Sequence, residues 1–285
     1  MSVKLDQRKL KAFIRKALEE DVRDGDHTSL ACIPAKQISK AKLLVKDEGV
    51  LAGVQIAREI FSYLDPSYKM EVIKDDGTKA SFGDISFYLT CNSQALLKGE
   101  RLALNVMQRL SGVATLSRQF SEATEDYNVT ILDTRKTTPL LRFLEKWAVV
   151  VGGCSNYRDG LYDRIMIKDN HIEAAGSITG AVKKVKKYLK STGRSLDMTV
   201  EVRNQSELKE VLSLKSELRV MLDNFTTKEM KKAVKLVGNR LEVEASGGIK
   251  LNNVGEVAAT GVDFISVGAL THSAQSLDLS LKIIK

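Results

Sequence analysis

From residue 129 onward the chain alternates short apolar runs with longer amphipathic stretches, and this alternation constrains the fold more than any other feature. The runs lie at 129–132, 164–167, 198–202, 219–222, 241–245 and 262–267. Segments with helical periodicity, such as 178–190, 206–213 and 227–236, fall between them. Strands joined by helix-length connections pair in parallel through right-handed crossovers, so the pattern predicts a βα barrel or a doubly wound sheet. Six strands are too few for a complete eight-stranded barrel, which would therefore be open.

Residues 1 to about 115 follow a different grammar. An opening helix is predicted from the spacing of Leu10, Phe13, Ile14, Ala17 and Leu18. Strand-like runs follow at Ala41–Val45, Met70–Ile73 and Ile85–Thr90, with Asp75-Asp76-Gly77 as a turn. No helix is expected between them, which points to an antiparallel sheet in an α+β unit. A long helix is then predicted from Glu100 to about Tyr127, on the stripe Leu102, Val106, Leu110, Val113, Leu116 and Phe120. The expected organisation is an α/β sandwich domain over 1–115 and a βα domain over 116–274, with residues 275–285 packing back onto the first.

Composition narrows the function. No apolar run approaches the ~20 residues of a membrane span. The opening segment lacks the apolar centre and cleavage site of a secretory signal. Cys32, Cys91 and Cys154 are odd in number and far apart, which argues against a disulfide framework or zinc cluster and suits a reducing cytoplasm. The formal charge of +8 fits either nucleic acid or an anionic small substrate. The basic stretch Lys183–Lys190 has apolar residues at helical spacing and reads as a solvated helix face, and no aromatic-studded basic strand accompanies it.

The ends of the six runs carry the chemistry. In order they are Thr134-Arg135-Lys136, Lys168-Asp169-Asn170, Glu201, Asp223-Asn224, Ser246-Gly247-Gly248 and Gly268-Ala269. In a βα barrel the C-terminal strand ends form one ring, and the last two usually hold a phosphate. Glycines there expose backbone N–H groups to such an anion, although a tight turn alone would also use Gly247-Gly248. Glu201 and Asp223 need partners if buried. Arg135, Lys136, Arg158 and Lys168 could supply them, and so could Mg²⁺, which takes a few carboxylates plus substrate oxygens. With only His27, His171 and His272 present, and no Ser/His/Asp or Cys/His set evident, the site reads as one for a polyanion.

Several longer motifs carry a resemblance. DTRKTTPLLRFLEKWAVVVGG, NYRDGLYDRIMIKDNHI, MLDN, ASGGI and GVDFISVGALTHSAQSLDLSLKI resemble the quinolinate phosphoribosyltransferase family, as do EEDVRDGDHTS and GERLALNVMQRLSGVATLSR upstream. The likeness runs over about residues 10 to 283. It implies an N-terminal α/β sandwich and an open, roughly six-stranded βα barrel of the type II phosphoribosyltransferase kind. It also implies a homodimer in which one subunit's sandwich caps its partner's barrel. The implied reaction joins quinolinate to 5-phosphoribosyl 1-diphosphate with Mg²⁺, releasing pyrophosphate and CO₂ and leaving nicotinate mononucleotide.

By the family pattern, Arg135 and Arg158 would face the quinolinate carboxylates, and Arg101 would reach in from the neighbouring subunit. Lys136 and Lys168 would serve the pyrophosphate and a carboxylate. Ser246, Gly247, Gly248, Gly268 and Ala269 would hold the 5-phosphate, with Thr134 and His272 completing the substrate-binding set. Glu201 and Asp223 would contact ribose hydroxyls or Mg²⁺ and stabilise positive charge at the anomeric carbon.

Two positions depart from the pattern. Where the family reads GGG-x-NHR, this chain has Gly152-Gly153-Cys154-Ser155-Asn156-Tyr157-Arg158. Tyr157 replaces a histidine expected beside the carboxylates; it can donate a hydrogen bond but cannot carry positive charge near neutral pH. Cys154 in place of glycine implies a backbone that does not need positive φ. Rival readings are a ModD-like paralogue with another acceptor, a non-catalytic protein that keeps the phosphate site, and a nucleic-acid-binding module.

Overall fold

The structure is a computed structural model that describes residues 5–284. The first four residues and Lys285, which the expected domain ranges include, lie outside the described residues. The chain divides into two compact units. One comprises the chain up to Arg118 with Phe143–Gly153 and the segment from Ala274; the other comprises Gln119–Arg142 and Cys154–Ser273. The expected return of residues 275–285 to the first domain lies alongside the segment from Ala274, while Phe143–Gly153 joins the first unit from within the expected range 116–274.

The first unit opens with α1 (Gln7–Val22), whose Asp6 side chain accepts from the backbone N–H groups of Arg8 and Lys9. Such a cap stabilises a helix by about 1 kcal/mol. The helix buries Leu10, Ile14 and Leu18, residues at the spacing that predicted it. After α2 (His27–Cys32) come β1 (Ile38–Val45) and β2 (Gly49–Val50). Then α3 (Val54–Leu64) intervenes where no helix was expected, and this corrects the reading of uninterrupted strands. Its start signal is not local. Asp76, more than twenty residues away, accepts from the N–H groups of Gly53, Val54 and Gln55 at 2.6, 2.8 and 3.1 Å.

The unit continues with β3 (Lys69–Val72), β4 (Lys79–Ala80), β5 (Ile85–Asn92) and α4 (Ser93–Glu122). The last begins before the expected Glu100 because Asn92 Oδ1 caps it, accepting from the N–H groups of Gln94 at 3.0 Å and Ala95 at 3.1 Å. It ends at Glu122, short of Tyr127.

In the second unit β6 (Thr130–Leu132) leads through α5 (Arg142–Val151), most of which belongs to the first unit, to β7 (Ile165–Ile167). The alternation then runs α6 (Asp169–Ala175), α7 (Ile178–Thr192), β8 (Met198–Val202), α8 (Gln205–Ser213), β9 (Arg219–Asp223), α9 (Thr227–Val237), β10 (Glu242–Ser246), α10 (Val254–Ala258), β11 (Phe264–Ser266) and α11 (Ala269–His272). The chain ends in β12 (Leu279–Ile284), which returns to the first unit and pairs antiparallel with β1, from Lys40 opposite Ile284 to Val45 opposite Leu279. There it completes a four-stranded sheet ordered β12-β1-β5-β3, beside the small β2-β4 pair.

The six strands of the second unit are all parallel, in the order β6-β11-β10-β9-β8-β7, giving the open βα barrel. Strand residues alternate between faces. Val200, Val202, Val220, Leu222, Val243 and Ala245 are apolar and almost wholly buried. Thr199, Glu201, Arg219, Met221, Glu244 and Ser266 take the other face and are also buried. A parallel sheet buries both faces, so these polar groups must satisfy one another. The α7 face bearing Lys183, Lys184, Lys186 and Lys187 is exposed, as its spacing predicted. Among the described residues no helix is long and apolar enough to cross a membrane.

Candidate active site

The parallel register places the polar strand ends side by side. Lys168 follows β7 and directs its Nζ to Glu201 Oε2 at 3.0 Å, on the adjacent β8. Glu201 is only 8% exposed, so the ion pair lets a carboxylate sit there at all. His171 Nδ1 accepts from the Lys168 backbone N–H at 3.0 Å and fixes the turn into α6. That bond needs an unprotonated Nδ1, which makes this imidazole a structural acceptor. Asp223 ends β9 and is half-buried, accepting from the Asn224 amide at 2.9 Å.

Two consecutive glycines close β10 with φ of +93° at Gly247 and +65° at Gly248. A side chain at Gly247 would run into that of Asn224, which itself sits at φ +56° and donates its N–H to Ser246 O at 2.8 Å. Here glycine is required by conformation and by space together. At the end of β11, a Cβ on Gly268 would lie 3.0 Å from Lys136 Cδ and 3.1 Å from His272 Nε2. Gly268, Lys136 and His272 therefore converge, with Ala269 the next residue along. The Lys136 backbone is tied on both sides, its N–H to Thr134 Oγ1 at 3.1 Å and its carbonyl to the Thr271 hydroxyl at 2.8 Å.

Arg135 and Arg158 supply the concentrated positive charge. Arg135 is half-buried, and its Nε is buried without a hydrogen-bond partner. Burial, and then the positive charge of Arg135, pull the Arg158 guanidinium below its usual pKa. Two partly desolvated guanidiniums close enough to oppose one another form a site for an acid with more than one negative charge.

The structure thus brings Thr134, Arg135, Lys136, Arg158, Lys168, Glu201, Asp223, Ser246, Gly247, Gly248, Gly268, Ala269 and His272 to the strand ends and the loops that follow them. The Tyr157 hydroxyl lies 2.8 Å from Thr199 Oγ1, two residues before Glu201 on β8, and its side chain lines the same cavity as Arg158. Arg101 is exposed on α4 in the first unit. Cys154 is buried and has no positive φ, as expected for a small apolar filler.

Sequence reasoning missed the polar layer beneath the strand ends. Glu244 is wholly buried, accepting from the Ser266 hydroxyl at 2.5 Å and pairing with Arg219 at 3.4 Å. Burial pushes its carboxyl above the usual range. The signal was present as polar residues at alternate positions inside the runs, in Thr199-Val200-Glu201 and Glu242-Val243-Glu244.

For Mg²⁺ the donor set is incomplete. Among the described residues no three His, Cys, Asp or Glu side chains cluster as a cage. Glu201 is occupied by Lys168, and Asp223 offers one carboxylate. That set suits an ion carried mainly by substrate oxygens rather than one held by the protein.

Comparison with known proteins agrees with the motifs. Residues 26–111 match the model for the N-terminal domain of quinolinate phosphoribosyl transferase, and residues 113–282 match its C-terminal domain. A chloroplastic carboxylating nicotinate-nucleotide pyrophosphorylase of Arabidopsis thaliana is 44% identical over 289 residues, covering 96% of this chain and 82% of the relative. A probable nicotinate-nucleotide pyrophosphorylase of Bacillus subtilis is 41% identical over 274 residues, covering 96% and 93%. Among solved structures, NadC from Streptococcus pyogenes superposes with a TM-score of 0.93 at 34% identity over the whole of both chains.

Proposed function

The chain belongs to the quinolinate phosphoribosyltransferase family, and from that premise we propose how its strand ends perform the family's reaction. The enzyme transfers a phosphoribosyl group from 5-phosphoribosyl 1-diphosphate to quinolinate, giving nicotinate mononucleotide, pyrophosphate and CO₂ in de novo NAD synthesis. A ModD-like acceptor or a non-catalytic role is not favoured by relatives that carry the activity in their names. The observation that carries the site assignment is the convergence of two arginines, two lysines and two carboxylates with the Gly247-Gly248 turn on one set of parallel strand ends.

In the proposed arrangement Arg135 and Arg158 each take a quinolinate carboxylate, so the ring nitrogen is aimed at the anomeric carbon. The Ser246–Gly248 turn and the Gly268-Ala269 segment hold the 5-phosphate, with Thr134 and His272 beside it. Lys136 neutralises the departing pyrophosphate. As the C–O bond to pyrophosphate breaks, positive charge grows on the ribose, and Glu201 and Asp223 lie where negative charge stabilises it. Lys168 pairs with Glu201 and holds it in place, and adds a cation for a carboxylate. The pyridinium formed then accepts the electron pair left as CO₂ departs, and a proton replaces it on the ring. Catalysis rests on positioning and preset charge, without a covalent nucleophile. Asp223, with Glu201 beside it, would face Mg²⁺ carried by the diphosphate, and the ion would supply charge neutralisation there. We place the enzyme in the cytoplasm because its cysteines are free thiols, two of them buried.

Incubation with quinolinate, phosphoribosyl diphosphate and Mg²⁺ is expected to yield nicotinate mononucleotide with equimolar CO₂, and chelation of the metal to suppress it. No product from quinolinate, or product from nicotinate in its place, would refute the assignment. We also propose a homodimer in which Arg101 serves the partner's site. Mixing Arg101→Ala with Lys136→Ala subunits then creates one intact site per mixed dimer. About a quarter of wild-type activity should return at statistical mixing; no recovery would show that the site is not shared.

A further inference from the structure

The two edges of the barrel sheet, β6 and β7, are joined by no ladder. The segment after α5 runs along β6 instead. Ser155 N–H donates to Ile131 O at 2.9 Å, Asp133 N–H to Ser155 O at 3.0 Å, and Tyr157 N–H to Asp133 Oδ1 at 2.8 Å. From this segment two adjacent side chains cross to the far edge. The Tyr157 hydroxyl meets Thr199 on β8, while the Arg158 guanidinium approaches the Arg164 carbonyl at 3.3 Å and Met166 Sδ at 3.4 Å.

Tyr157 has several partners: two guanidiniums face its ring, Arg164 at 5.4 Å and Arg219 at 5.7 Å from the centroid, and its hydroxyl also hydrogen-bonds the Glu244 carboxyl. Arg164 Nε also donates to Thr199 Oγ1 at 3.2 Å and its Nη1 reaches Asp197 at 3.2 Å, while Arg219 pairs with Glu242 at 2.9 Å and Glu244 at 3.4 Å. Burial pushes the phenol up to about 12, so the hydroxyl is neutral at working pH. Close packing does not fix it: a cavity of about 430 Å³ lies here, lined by Tyr157, Arg158, Arg164, Arg219 and Phe264 among others. Thr199 sits two residues, or about 6.6 Å, below the Glu201 level along the strand. A substrate at the strand ends is therefore one layer above the hydroxyl.

We propose that Tyr157 is a positioning residue whose hydroxyl, bonded to Thr199 across the open seam of the barrel, sets the place of Arg158 for a quinolinate carboxylate. It does this without touching the substrate. The inference rests on the quinolinate reading above and deepens it. Tyr157→Phe and Thr199→Val both remove the Tyr157–Thr199 bond with little change of shape, the first also removing the phenol's bond to Glu244 and the second the bond from Arg164. Each should weaken quinolinate binding about tenfold, by calorimetry and in KM, the worth of one buried hydrogen bond. The value of kcat and the KM for phosphoribosyl diphosphate should change by less than about twofold, since only one substrate's anchor moves. The double variant should lose clearly less than the sum of the two single losses, because the two share one link. Thr199→Ser keeps the hydroxyl and should keep wild-type affinity.

Additive losses, or a loss in Tyr157→Phe alone, would show that the Tyr157–Thr199 bond does not set the place of Arg158 and overturn the proposal. Unchanged quinolinate affinity with a lowered melting temperature would overturn it in favour of a purely structural link. Wild-type binding of quinolinate and formation of nicotinate mononucleotide, measured first, separate failure of the assigned reaction from failure of this link.

Discussion

Arg135→Ala is expected to lower kcat/KM for quinolinate about 10³-fold, the scale seen when a preset charged donor is removed. The KM for phosphoribosyl diphosphate should stay within about threefold, since the lost contact belongs to the other substrate. The reason lies in what Arg135 lacks. Its Nε is buried with no hydrogen-bond partner, and its charge opposes that of Arg158. In the proposed arrangement an incoming dicarboxylate completes the site. Arg135→Lys keeps the charge but not the planar fork, so it should recover little of the activity. The same deficit predicts that Arg135→Ala will not lower the melting temperature, and relief of repulsion should raise it slightly. Initial rates against both substrates, with a thermal melt, test this. Full activity in Arg135→Lys would show that point charge, not bidentate geometry, is what the site uses.

How far the molecule was legible in its sequence follows from how local each signal is. The βα alternation was readable because β-branched runs and amphipathic stretches each carry their own periodicity, and β8 and α9 lie within one residue of where that periodicity put them. The strand ends were readable because a parallel barrel gathers them automatically, whatever the loops do. The start of α3 was not, because its cap is Asp76, supplied from the turn between β3 and β4. The inner polar layer was harder. Thr199, Arg219 and Glu244 look like stray polar residues in apolar runs until the sheet curls and turns one face of each strand inward. The partner of Tyr157 was hidden for a related reason, since Thr199 lies 42 residues away in the sequence. The segment paired to β6 sends the phenol to Thr199 and the guanidinium toward β7.

Glu201→Gln is expected to lower kcat about 10²–10³-fold, the loss typical of removing one electrostatic partner of the transition state. The substitution keeps volume and hydrogen-bonding shape, so what disappears is the negative charge that the proposed mechanism sets against the ribose. It also strands Lys168 Nζ, now 3.0 Å from a neutral amide. Breaking a fully buried pair costs about 3–5 kcal/mol. The Lys168 side chain is 44% exposed, so solvent screens much of that, and a loss of about 1–2 kcal/mol is expected instead. Stability and catalysis can then be separated. Lys168→Met combined with Glu201→Met removes both charges and fills the space, which should restore the melting temperature while activity stays lost. If the double variant regained turnover, Glu201 would be serving only to neutralise Lys168. If Glu201→Gln kept wild-type kcat, the positive charge on the ribose would have to be met by Asp223 alone, and the paired-carboxylate mechanism would fail.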